Sequence, residues 1–131
     1  MIITNKLKEK IIEKIKKVCN KEIREENNKE LLGLTIDYFY DGELIDIGCV
    51  VHIFDNDVDE GYTEHISFTL KSDGSDNDLA KMIKKYDVNK RLDITKKIAK
   101  EIREYIETVN WKDEDIVRIY EDMFFDLKNY D

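Results

Sequence analysis

The residues able to do chemistry in this chain are chiefly carboxylates. Asp37, Asp41, Glu43 and Asp46 fall within one short stretch, and Asp55, Asp57, Asp59 and Glu60 follow close behind. Carboxylates can ligate a cation, move a proton or meet a basic protein. The run from Asp55 to Gly61 begins like a calcium loop, with aspartates at positions one, three and five. Glu60 then stands where a glycine makes the turn, and Ile66 stands where a bidentate glutamate closes the site. The run therefore reads as a solvated acidic turn, and no metal is expected. His52 and His65 are the only histidines. A metal or acid–base role for either needs a third convergent group, which the spacing does not supply. Ser67, Ser72 and Ser75 lack the frame of a nucleophile elbow. The five glycines make no phosphate-cradling pattern. Cys19 beside Val18 and Cys49 beside Val50 read as small buried hydrophobes. No catalytic residue and no cofactor is expected, and the chain does not read as an enzyme.

The elements that must position the carboxylates follow from periodicity. Leu7, Ile11, Ile15 and Val18 recur at helical spacing behind Thr4, which predicts an amphipathic helix from Thr4 to about Glu26. Its other face carries Lys8, Lys10, Lys14, Lys17 and Lys21. The period then changes to two. Leu34, Ile36, Tyr38 and Tyr40 alternate, then Ile45, Ile47, Cys49, Val51 and Ile53, and a third strand spans Tyr62 to Leu70. Asp41-Gly42 between the first two strands reads as a two-residue hairpin turn. That register sets Asp37 directly opposite Asp46, where like charges repel. Asp37 and Asp46 then share a sheet face with Phe39, Leu44, Val50 and His52, a face either capped by a later helix or left open as a binding surface. A short helix capped by Asp76 or Asn77 is expected through Tyr86. A longer one is expected from Asp93 to Val109, and a last one from about Asp113 with Ile116, Ile119, Tyr120, Met123, Phe124 and Leu127 as its stripe. Trp111 then anchors the corner between the last two. The expected fold is α+β, in the order α-β-β-β-α-α-α: a three-stranded antiparallel meander with an N-terminal helix and about three C-terminal helices packed on it, one domain over 1–131.

With 131 residues, 22 basic and 30 acidic, the chain carries a net charge of −8. The charge is unevenly placed. Residues 1–36 carry +3, residues 37–78 carry −11, residues 79–103 carry +6 and residues 104–131 carry −6. The meander is thus the acidic part. An acidic chain is ill suited to direct contact with nucleic acid or anionic lipid, and the lysine-rich helix faces read as solvated. No apolar run suits a membrane span or a signal segment, so the cytoplasm is the expected compartment.

The acidic hairpin around Asp37, Asp41, Glu43 and Asp46, the run Asp55 to Glu60 and the lack of any catalytic motif give the whole chain a resemblance. It is similar in plan to the small acidic immunity proteins and antitoxins that neutralise bacterial toxins, and to the acidic inhibitors that phages use against host defence. The resemblance implies an inhibitor that occupies the groove of a basic, nucleic-acid-handling protein, such as a nuclease toxin or a defence effector. The expected partner-binding residues are Asp37, Phe39, Asp41, Glu43, Asp46, Asp55, Asp57, Asp59 and Glu60. The alternative is a small-molecule-binding or enzymatic domain with a pocket between sheet and helices. A homo-oligomeric scaffold held by the late helices is a third.

Overall fold

The computed structural model describes residues 2–24, 29–71, 73, 77–109 and 119–125. Helix α1 spans Asn5–Cys19 and runs into a π-helical turn, Asn20–Arg24. Thr4 caps it as its position predicts, its side chain accepting from the Leu7 amide at 3.2 Å. Strands β1 (Lys29–Tyr40), β2 (Ile45–Asp55) and β3 (Glu60–Ser67) follow. They form the expected antiparallel meander. Helix α2 (Asp78–Lys84) is capped by Asn77, which accepts from the amides of Leu79 and Ala80. Helix α3 covers Val88–Thr108, so it starts more than a turn ahead of Asp93. Arg91 explains how the α2–α3 corner is closed: its guanidinium donates to the carbonyls of Lys84 and Tyr86 at 2.7 and 2.9 Å.

Two expectations are corrected. Over Ile119–Phe125 the chain is a strand, β4, and not part of a last helix. It pairs in parallel with β1 and completes a sheet of order β3-β2-β1-β4. The helical spacing of apolar residues there competes with a segment of β-branched and aromatic side chains, and the unpaired backbone along β1 decides for the strand. Trp111, the expected start at Asp113 and Leu127 lie outside the described residues. The hairpin register also differs by two residues. Phe39 pairs with Asp46 and Asp37 with Gly48, so Asp37 and Asp46 are not opposite each other. The loop is Asp41–Leu44 rather than Asp41-Gly42 alone. Asp41 Oδ1 accepts from the amides of Glu43 (3.1 Å) and Leu44 (2.7 Å), and Gly42 takes a φ of 99°. The carboxylate thus closes a wider turn than two residues can make.

The hydrophobic core cluster lies on one face of the sheet. Ile45, Ile47, Cys49, Val51 and Ile53 alternate along β2 and are at most 2 % exposed. They join Leu34 and Ile36 of β1, Ile11 and Ile15 of α1, and Ile98, Ile102 and Ile106 of α3 in one core. Lys8 of α1 lies buried against α3, its amine 3.8 Å from Glu101, which also accepts from the amides of Ile2 and Ile3. No helix among the described residues is long and apolar enough to cross a membrane.

Both cysteines are buried and unpaired. Burial pushes both thiols up, that of Cys19 to about 12. Thiolate is the reactive form, so the native protein is expected to resist an aromatic disulfide reagent at neutral pH and to titrate both thiols once unfolded. Rapid labelling of the native state contradicts this packing.

Candidate binding face

The second face of the sheet carries Thr35, Asp37 and Phe39 from β1, Asp46, Gly48, Val50, His52 and Phe54 from β2, and Thr63, His65 and Ser67 from β3. Their places follow from strand alternation and the paired registers. None of these side chains belongs to the core cluster. Phe39 is 54 % exposed. Among the described residues no helix packs on this face. Because the register moved by two and not by one, Asp37, Phe39 and Asp46 keep the shared face expected of them.

Two features of this face involve its histidines. Thr35 Oγ1 lies 2.7 Å from His52 Nε2, so His52 meets the buried hydroxyl of Thr35. His65 lies across Gly48. Its Nε2 is 3.7 Å from Asp37 Oδ1 and 4.0 Å from Asp46 Oδ2, an ion pair whenever the ring is protonated. A Cβ at Gly48 falls 2.9 Å from that nitrogen and 2.5 Å from the Ile66 carbonyl. The sequence signal was available: a glycine inside a strand often marks a close approach.

Asp46 has a second tie. It accepts a hydrogen bond from Ser67 Oγ at 2.8 Å, and that hydroxyl in turn accepts from the amide of Leu70 at 2.9 Å. So Ser67 is committed to Asp46 and the chain turn after β3, rather than to His65. Asp46→Ala leaves the hydroxyl without this acceptor and is expected to cost about 1 kcal/mol. Asp46→Asn keeps an acceptor oxygen and should stay within a few tenths of the parent. Urea unfolding with unchanged slope checks both. An alanine variant as stable as the parent contradicts the tie.

The nine expected partner-binding residues fall into two groups. Asp37, Phe39 and Asp46 lie on the open face, and Asp41 and Glu43 stand in the adjoining turn, both exposed. The amides of Leu44 and Glu43 hold the Asp41 carboxyl below the usual carboxylate range, so it stays ionised while it shapes the turn. Asp55, Asp57, Asp59 and Glu60 sit at the far end of β2. Eleven residues of strand place that end about 35 Å away. There Asp55 Oδ1 accepts from the Asp57 amide at 2.9 Å, and Asn56 donates to Glu30 at 2.8 Å. Asp59 has a φ of 55°. Among the described residues no three His, Cys, Asp or Glu side chains are placed to hold a metal ion. Comparison with known protein families, curated proteins and solved structures gives no match.

Proposed function

We propose that this domain binds protein and inhibits a basic, nucleic-acid-handling partner, of the kind represented by nuclease toxins and defence effectors. Phe39 is the anchor. Asp37 and Asp46 flank it on the face, and Asp41 and Glu43 extend the negative charge past the hairpin end. The observation that carries the reading is the 54 % exposed aromatic ring on a sheet face outside the core, set among carboxylates. A large aromatic in the middle of a contact supplies most of its affinity. The carboxylates supply speed and choice of partner, since complementary charge steers encounter and rejects the wrong surface. Set into a groove lined by lysine and arginine, they replace the phosphates of the nucleic acid. The far loop, Asp55 to Glu60, lies outside this footprint and adds only to the long-range field. Such a partner works in the cytoplasm, and the inhibitor needs no cofactor.

The test is displacement. The partner captured by the purified domain is loaded with a labelled oligonucleotide, and the domain is titrated in. Release of the oligonucleotide, weakening as salt rises, supports the reading. A partner that binds domain and oligonucleotide together contradicts it.

A further inference from the structure

We infer that the groove between α1 and the outer edge of β3 binds a small organic polyphosphate. The observation is a set of lysines converging on one cavity in an acidic protein. Lys14 and Lys17 stand three apart on α1, and Lys21 follows in the π-helical turn that continues it. Lys71 comes from the turn after β3. All four line an open groove of about 820 Å³, a volume within the range of about 300–1,000 Å³ usual for ligand sites.

Val18, Ile66 and Leu70 give the groove an apolar wall, and His65 and Ser67 give it polar groups. Lys14 donates to the Ser67 carbonyl at 3.4 Å and is thereby held over the strand edge. Among the described residues Lys17, Lys21 and Lys71 enter no ion pair, and Asp73 is the one acid lining the groove. Like charges at these helical spacings oppose each other. An anion between them removes the repulsion. Lysine suits this task, as a point charge that meets phosphate oxygens from any direction. Among the described residues the four ammonium groups outnumber the Asp73 carboxylate of the lining and the Asp37 and Asp46 carboxylates held beside His65, so the ligand is an anion. Among the described residues the lining side chains include no Phe, Tyr or Trp to serve as a platform of the kind on which single strands stack their bases. Recognition runs through the phosphates, and the ligand is a small molecule rather than a nucleic acid.

His65 and Ser67 border both this groove and the Phe39 face, but Phe39 itself does not line the groove, which permits a test by titration calorimetry on the full chain. The probes are ATP, inorganic tripolyphosphate and adenosine. ATP and tripolyphosphate are expected to bind at a single site and adenosine not at all. Lys17→Gln/Lys21→Gln alters two exposed side chains, so its thermal melt should match the parent. Its affinity for both phosphates should fall by about tenfold or more, as for two lost charge-assisted contacts. Phe39→Ala should bind them as the parent does. The inference is overturned if neither phosphate binds, or if the double variant binds as tightly as the parent. It is overturned equally if single-stranded RNA displaces ATP at lower concentration with a steeper salt dependence, which marks a nucleic-acid track.

Discussion

Gly48→Ala is expected to destabilise the domain by about 1–3 kcal/mol, the range of a forced core overpacking. The sign is the informative part. At an unstrained strand position the same change stabilises, by about 0.4–1 kcal/mol, because it stiffens the unfolded chain. Here the new methyl meets the Ile66 carbonyl at 2.5 Å and His65 Nε2 at 2.9 Å. The imidazole can swing away at small cost. The carbonyl cannot, because Ile66 is paired with Cys49 in the ladder between β2 and β3. Either β3 moves outward or the ladder breaks locally. Adding His65→Ala therefore recovers only the smaller part of the loss. Urea midpoints of the single and double variants measure this. A neutral or stabilising Gly48→Ala means that β3 does not sit so close to β2, and the Asp37–His65–Asp46 arrangement falls with it.

That arrangement also shows what a sequence can and cannot reveal. The alternation Ile45, Ile47, Cys49, Val51, Ile53 announced both the strand and its buried face, because a half-buried strand must repeat every two residues. The face shared by Asp37, Phe39 and Asp46 was legible for the same reason. The register was not. Asp41-Gly42 has the composition of a two-residue turn, but the Asp41 side chain bonds to the amides of Glu43 and Leu44 and enlarges the loop. Turn chemistry is local, yet which of two turns forms depends on strand pairing along β1. The strand over Ile119–Phe125 was hidden by helical spacing, since its pairing with β1 joins residues about ninety apart in sequence. The lysine groove was half visible. Lys14, Lys17 and Lys21 could be placed on one helix face, but that Lys71 meets them is a fact of tertiary packing alone.

The other large effect concerns binding. Phe39→Ala is expected to weaken partner affinity by about 2 kcal/mol or more, roughly thirtyfold, as for an aromatic hot spot at the centre of an interface. Stability should hardly change, because the ring is 54 % exposed and outside the core. The loss should appear mainly as faster dissociation. Asp37→Asn should instead slow association, and by less at higher salt, since its charge acts over a screening length that shrinks from about 30 Å at 0.01 M to about 8 Å at physiological strength. The two variants thus separate anchor from steering. If Phe39→Ala binds as the parent does, the open face is not where the partner sits.

The most direct measurement is site-specific photo-crosslinking in a lysate of the source cells, with benzoylphenylalanine placed at Phe39 or at Val58. Both positions are exposed, at 54 % and 60 %. They mark the two acidic ends of β2. The account predicts that the probe at position 39 captures a basic, nucleic-acid-binding protein, that Asp37→Asn/Asp46→Asn or high salt abolishes the capture, and that the probe at position 58 does not capture that protein. Capture of the same protein from position 58 with none from position 39, or capture from position 39 that neither charge removal nor salt affects, contradicts it.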